Sequence, residues 1–496
     1  MDTPAASRAA DARQFVGEIG QAEPSAQPRT IVIVGAGFSG TAVALNLLRL
    51  PQARQQRIVL LERTRARMMR GAAYARDRNP HLLNVPAGRM SASSADPLEF
   101  LRFAQRVQPA ATAEDFLPRK LYGDYLESTL MAAALLSPPH VRLDRVHGEA
   151  VAIERLRRSR GVRVHLEGGA SIVADSVVLA LGNPPPGRLP GGEELRASRR
   201  YVADPWRTPP TFRRGETVLI VGTGLTMADV ALAGNQAAKG GAMIHAISRH
   251  GLTPASQTSV HHGREYGLHD GVLLRAAAVS LARLVRGVRA LVADIQLVGG
   301  DWREAIASVR ALAPALWQRL SARERQRFLR HVRCHWEVHR HRLPERTGSA
   351  LDTLRRQGTL QVHAGRLLRL TPAGRRISVS WRARGQSAHR TLLVDRVVNC
   401  TGPDYDPRRG EERLLRSLIA QAMAVPDPLG LGLLTDGFGA LVDASGRIAD
   451  DIHYIGPMLR ASCWEVTAVQ ELRVHAERLA RHVTLHATAG RQVSSG

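Results

Sequence analysis

Two glycine-spaced turns carry the chemistry that can be read from this chain. The first, Gly35-Ala-Gly37-Phe38-Ser39-Gly40, follows the apolar run Ile31–Val34 and leads into Thr41-Ala-Val-Ala-Leu-Asn-Leu-Leu. A buried strand, a tight turn and a helix N-terminus in that order make a cradle for a dinucleotide. Gly35 permits the turn, Gly37 lets the backbone approach a diphosphate, and Gly40 lets helix and strand pack closely. The helix dipole and its free N–H groups then face the anion. A second apolar strand, Ile58–Leu61, ends at Glu62-Arg63. Glu62 falls about 20 residues beyond the turn, where a carboxylate receives ribose hydroxyls.

The second turn is Gly222-Thr-Gly224-Leu225-Thr226-Met227-Ala228, after the strand Thr217–Val221. Met227, or Ala228 one step later, stands in place of the third glycine, and a small residue there still allows close packing. The next strand, Ala242–Ile247, ends in Ser248-Arg249 instead of an acid. A guanidinium can hold a 2′-phosphate by charge-assisted hydrogen bonds, whereas a carboxylate would repel it, so the pattern favours NADPH over NADH. The closing strands repeat as well. Asp175-Ser-Val-Val-Leu-Ala-Leu-Gly182 is answered by Asp395-Arg-Val-Val-Asn-Cys-Thr-Gly402. The chain therefore reads as α/β, with two Rossmann-like dinucleotide-binding units, the second enlarged.

The enlargement is helical. Asp270–Ile295, Asp301–Leu320 and Ser321–Arg342 form three amphipathic segments rich in Leu, Ala and Arg. His331, His335 and His339 are spaced to share one helix face. His335-Trp-Glu337-Val-His339 is not the zinc-protease spacing, because Glu337 stands two residues after the first histidine and points away from it. No metal is expected. The basic run Arg330–Arg342 reads as a packing face or as a receiver for an anionic substrate. Within the first unit, Pro86 and Gly88 exclude a helix, so Leu82–Ser91 is a rigid loop carrying Asn84, Arg89, Met90 and Ser91. Near the end, the strand Asp451–Ile455 stops at Gly456, and Trp464-Glu465 opens a long final helix. Backbone N–H groups there can meet an anion or a flavin carbonyl.

Composition bounds the rest. At 496 residues, 44% hydrophobic, the chain can build two or three domains. No run reaches the roughly 18 apolar residues of a membrane helix, and residues 1–28 read as a disordered tail with no signal-peptide core. Cys334, Cys400 and Cys463 include no C-x-x-C pair, which argues for a reducing, cytoplasmic setting and against a dithiol–disulfide reductase. The net charge of +25 is spread along the whole chain, and only Lys120 and Lys239 among 69 basic residues are lysines. Nonspecific attraction to polyanions follows, without a specific nucleic-acid partner.

Taken in order, these pieces resemble the bacterial FAD/NAD(P)-binding family related to class B flavin monooxygenases. The motifs that carry the likeness are Gly35–Gly40, Leu82–Ser91, Pro118-Arg-Lys-Leu-Tyr-Gly123, Asp204-Pro-Trp206, Val221–Thr226 and Ile455-Gly-Pro457 with Trp464-Glu465. The resemblance implies FAD on a discontinuous domain, 29–190 and 395–496. NADPH would sit on a domain spanning 200–394, inserted into the first and carrying a helical insertion at 270–345. It implies a cofactor-binding set of Gly35, Gly37, Phe38, Ser39, Gly40, Glu62, Arg63, Asn84, Arg89, Met90, Ser91, Gly182, Gly222, Gly224, Leu225, Thr226, Ser248, Arg249, Gly402, Gly456, Trp464 and Glu465. Asn84, beside the flavin, is the catalytic candidate.

Related enzymes hydroxylate amino-acid nitrogen, including one that turns aspartate into nitrosuccinate. The implied reaction passes hydride from NADPH to the flavin, forms a C4a-hydroperoxide with dioxygen, and hydroxylates a small, amino-acid-like amine. A homo-oligomer is compatible with this reading. The Baeyer–Villiger fingerprint F-x-G-x-x-x-H-x-x-x-W is not found before the second turn, which argues against ketone-to-ester chemistry. Two rivals stand beside it: a flavin-dependent NADPH oxidase or reductase without oxygen transfer, and a non-catalytic redox-sensing nucleotide-binding protein.

Overall fold

The computed structural model describes residues 28–51, 54–75, 81–156, 161–258 and 269–489; the expected disordered tail lies, but for Pro28, outside them. The β-branched run after Arg29 forms β1 (Arg29–Val34), followed by α1 (Phe38–Arg49) and β2 (Gln56–Glu62). Helices α2 (Glu99–Val107) and α3 (Arg119–Leu136) then lead to β3 (Val141–His147). β4 (Ala150–Arg155), β5 (Val162–Leu166) and β6 (Ser171–Ala174) make a separate antiparallel three-stranded sheet before β7 (Ser176–Leu179). β1 runs parallel to β2 on one side and β7 on the other. Ile31, Val32 and Ile33 are fully buried, so side chains on both faces of β1 are covered, which is why this strand reads as an unbroken apolar run.

After β8 (Tyr201–Val202) the pattern recurs as β9 (Thr217–Val221), α4 (Leu225–Ala237) and β10 (Met243–Ser248). The helical insertion follows, and then α10 (Glu345–Arg356), the long β11 (Leu360–Ala373), β12 (Arg376–Ala383), β13 (His389–Val394) and β14 (Arg396–Asn399). The second sheet has the order β13-β12-β11-β10-β9-β14-β8. Its β9 lies parallel between β10 and β14, as β1 lies between β2 and β7. After α11 (Arg413–Ala420), β15 (Ala440–Val442) and β16 (Ile448–Tyr454) return to the first sheet, giving β15-β16-β7-β1-β2-β3, and α12 (Val469–Ala489) packs on α1.

The repeated D-x-V-V has a physical cause. The Asp175 carboxylate accepts the Thr30 N–H at 2.8 Å, and the Asp395 carboxylate accepts the Thr217 N–H at 2.8 Å. Each aspartate ties the start of a closing strand to the start of the central one, which sets the parallel register. The same bond corrects one expected boundary. Arg396–Asn399, placed with the first unit in the segment 395–496, belongs to the second sheet, and the chain rejoins the first sheet only at Ala440.

The insertion holds α5 (Asp270–Val279), α6 (Leu281–Leu297), α7 (Trp302–Arg319), α8 (Ala322–Arg327) and α9 (Arg333–Arg340). The expected helix over 270–295 is broken at Ser280, whose extended backbone leaves its hydroxyl free to cap α6 by accepting the Arg283 N–H. The expected helix over 321–342 is interrupted by a wide turn at Phe328–Val332. Leu284, Leu291, Ile295, Val309, Leu316, Trp317 and Phe328 form the insertion's core, and Trp464 enters it. Among the described residues no helix is long and apolar enough to cross a membrane.

Candidate active site

At the first turn Gly35 and Gly40 are required by their neighbours. Gly35 has φ +100°, and a Cβ there would lie 2.3 Å from the Ala180 carbonyl oxygen. A Cβ at Gly40 would lie 1.9 Å from the Gly35 oxygen. Gly37 is backed by Gly71, where a side chain would come within 2.9 Å of the Gly37 Cα. Phe38 and Ser39 are buried in the first turn of α1. Glu62 is buried at the end of β2, and its two carboxylate oxygens accept the N–H groups of Ala36 and Thr64, each at 3.0 Å. That leaves lone pairs on both oxygens for a ribose. Arg63 turns outward to Glu412 at 2.9 Å and Glu149 at 3.7 Å. Gly182, just past β7, has φ +70° and open space where its Cβ would be. A narrow turn with unfilled helix N–H groups fits a diphosphate.

The Asn84 loop is pinned along its length. Leu83, Ala87 and Gly88 donate their N–H groups to the carbonyls of Leu117, Asp115 and Ala113 at 2.8, 2.9 and 2.8 Å. Asn84 is half-buried, Met90 buried and Arg89 exposed. The Ser91 hydroxyl is spent inside the loop, donating to the Asp96 carbonyl at 2.5 Å and accepting the Ser93 N–H at 3.1 Å.

This loop is joined to the second unit by Arg119, at the start of α3. Its Nε donates to the Leu82 carbonyl at 2.9 Å, and its Nη2 donates to Asp229 on α4 at 3.1 Å. Trp206 lies against the Arg119 guanidinium, 5.2 Å from ring centroid to Cζ, and against the His81 ring at 6.3 Å. The Asp204 carboxylate fixes Trp206 by accepting its N–H at 2.8 Å. Arg119 and Asp229 are absent from the candidate set drawn from the sequence. Arg119 sits within a motif quoted there, but nothing in the sequence pairs it with Asp229.

The second turn is more open. Gly222 has φ +107°, and its Cβ would meet the Cys400 oxygen at 2.1 Å, yet nothing lies within 4 Å of a Cβ at Gly224. Leu225 and Thr226 begin α4 half-buried, and Met227 fills the third position as a fully buried core residue. Thr223 donates to the Ser248 hydroxyl at 2.8 Å, which in turn accepts the Gly251 N–H at 3.0 Å. Ser248 thus shapes the end of β10. Arg249 is exposed and forms no hydrogen bond or ion pair among the described residues. Gly402, past β14, has φ +82° and open space around it.

The C-terminal candidates are used differently from expectation. Gly456 has φ +142°, but a short turn over Pro457–Ala461 follows it, and α12 starts at Val469, beyond Trp464 and Glu465. Trp464 stacks on Trp317 at 4.9 Å, with Phe328 edge-on at 5.0 Å and the Arg460 guanidinium over it at 4.2 Å. Glu465, 2% exposed, accepts Trp336 Nε1 at 2.6 Å and Arg340 Nε at 2.8 Å. Both side chains dock the insertion onto the C-terminal segment, because a buried carboxylate needs these donors.

Glu337 receives Arg460 at 2.9 Å and lies 3.1 Å from His341. Burial works against its charge, but His341, Arg460 and Arg333 hold the carboxyl well below the usual range. The three histidines do not act as one row. His335 meets His250, with ring centroids 6.3 Å apart, and His339 meets Trp302 at 5.0 Å. Among the described residues no three His, Cys, Asp or Glu side chains converge as a metal-ligand group.

Comparison with known proteins supports the architecture. Residues 32–184 match a family model described as FAD-NAD(P)-binding. The ornithine N-hydroxylase of Kutzneria sp. 744 superimposes with a TM-score of 0.61 at 16% identity, over 93% of this chain and 100% of that one. The reduced ornithine hydroxylase of Pseudomonas aeruginosa gives 0.60 at 16% identity, over 93% and 100%. The L-lysine 6-monooxygenase of Pseudomonas syringae gives 0.59 at 16% identity, over 94% and 100%. No curated protein sequence matches the chain. The fold is that of a flavoprotein with two dinucleotide-binding domains.

Proposed function

We propose that this protein is an FAD-dependent, NADPH-consuming monooxygenase that hydroxylates the nitrogen of a small, amino-acid-like amine. FAD would lie on the unit opened by Gly35, and NADPH on the unit opened by Gly222. The observation that carries the reading is Arg119. It binds the Asn84 loop of one unit and Asp229 of the other, so a loop beside the first nucleotide is held against the helix that receives the second. The likeness to ornithine and lysine hydroxylases supports it, and the Kutzneria structure holds reduced FAD, NADP+ and L-ornithine.

A bound flavin would accept hydride from the nicotinamide and activate dioxygen; the chain supplies position and dryness. The N–H groups of Gly37–Gly40 and Gly224–Thr226 hold the two diphosphates, and Glu62 receives the ribose. Asn84, fixed on its loop, offers an amide donor and acceptor to the flavin or the substrate amine. Trp206 and Arg119 close the seam against water. The three cysteines are free, which suits a reducing cytoplasm.

The test is anaerobic reduction of the FAD-loaded protein by NADPH, followed by oxygen with a panel of amino acids and diamines and mass spectrometry of the products. A product heavier by one oxygen atom is expected. NADPH consumed with only stoichiometric peroxide across the panel would make the protein an oxidase, and a flavin that NADPH fails to bleach would make it a sensor.

A further inference from the structure

We propose that Arg384 and the contacting pair His250 and His335 join Arg249 in holding the 2′-phosphate of the nicotinamide nucleotide, so that the helical insertion takes part in choosing NADPH over NADH. The proposal rests on the assignment of that nucleotide to the second unit. It begins with strand register. In the parallel pairing of β10 and β11, Ser248 lies beside Ala364. Arg384, just past β12, donates its backbone N–H to the Ala364 carbonyl at 2.9 Å, which brings it to the end of β10. Gly251 packs on the same spot, where an added Cβ would stand 3.0 Å from the Ala364 Cβ. From the other side comes α9 of the insertion, whose His335 meets His250, the residue after Arg249. Three separate elements thus converge where a dinucleotide fold receives the adenosine ribose.

The charges at this point are of one sign. Burial lowers the His250 pKa, and Arg384, Arg249 and His335 lower it further, with no carboxylate among the groups acting on it. Arg333, two residues before His335 at the start of α9, also feels Arg249 as a repelling charge; its partner is Glu337 at 3.6 Å, already shared with Arg460 and His341. Arg249 and Arg384 have no ion pair among the described residues, unlike the neighbouring Arg340, which is matched to Glu465. A cluster that depresses its own histidine is one that a dianion would relieve. The phosphate would favour the imidazolium and take up a proton on binding, so affinity should rise as pH falls from 8 toward 6.5, above the range where the phosphate itself protonates at about 6.

Calorimetric titration of the FAD-loaded, full-length protein with 2′,5′-ADP and with 5′-AMP tests this without turnover. The unmodified protein should prefer 2′,5′-ADP. Arg384→Ala and His335→Ala should each weaken 2′,5′-ADP by about tenfold while leaving 5′-AMP within about twofold. His250→Gln should flatten the rise in 2′,5′-ADP affinity between pH 8 and 6.5. Arg384 and His335 are exposed, so unchanged flavin content and melting temperature will show that the variants fold. Equal losses for both ligands, or none, would overturn the cradle. An unmodified protein that binds both ligands alike would instead remove the NADPH assignment beneath it.

Discussion

The two glycine turns share a plan and differ in how tightly they are built. Around the first, Gly35, Gly40 and the neighbouring Gly71 leave no room for a Cβ, and Glu62 laces the turn to the end of β2 through the buried Ala36 N–H and the half-buried Thr64 N–H. Around the second, only Gly222 is crowded, Gly224 faces open space, Met227 replaces the third glycine, and a serine hydroxyl does the lacing. A closed cradle suits a nucleotide that stays, and an open one suits a nucleotide that must enter and leave each cycle.

Substitution can break this contrast. Gly40→Ala puts a Cβ against a backbone oxygen that cannot swing away, so about 3 kcal/mol or more of stability should be lost, together with retained FAD. Gly224→Ala should cost within about 1 kcal/mol yet weaken NADPH by about tenfold, because the diphosphate needs that space. Thermal melts, flavin content and nucleotide titration distinguish the two, and equal damage to stability would erase the difference. Next in size, Glu62→Ala strands the Ala36 and Thr64 donors and should cost about 2–4 kcal/mol, against about 1 kcal/mol for Ser248→Ala.

A substitution of Asp229 sharpens the comparison at the seam. Asp229→Asn should keep FAD, cost about 1–2 kcal/mol, and slow anaerobic flavin reduction by NADPH in stopped flow; an unchanged rate would deny Arg119 its joining role. The last comparison is read in acid and concerns Glu337. Its folded pKa is depressed, so its contribution is complete above the unfolded value and fades as pH falls below about 4.5. Glu337→Gln should flatten that acid limb in melts taken between pH 6 and 3.

Much of the first turn was legible in the sequence because its constraints are local. A β-branched run, three glycines and an acid at the end of the next strand leave few alternatives, and the D-x-V-V repeat proved to be the same aspartate-to-strand tie used twice. What could not be read depends on distant packing. Arg119 and Asp229 meet across the seam between units, so no spacing announces them. Trp464 and Glu465 have the right chemistry for a flavin edge, but the insertion folds back and takes both. Ser280 looks like an ordinary helix residue until its extended backbone turns it into a cap. Ser91 and Ser248 read as ligand contacts, yet the Ser91 hydroxyl bonds within its own loop and the Ser248 hydroxyl bonds Thr223 and Gly251.

The route of the chain through its two sheets has a consequence for the order of assembly. All the strands of the second sheet lie between Tyr201 and Asn399, so it can complete its hydrogen bonding while the ribosome still holds the remainder of the polypeptide. The first sheet, although its central strand is made earliest, must wait for β15 and β16 to emerge. Until then the far edge of β7 is an exposed, sticky strand. Truncations that remove the last sixty or so residues should therefore spare the inner lobe and send the outer one to aggregates.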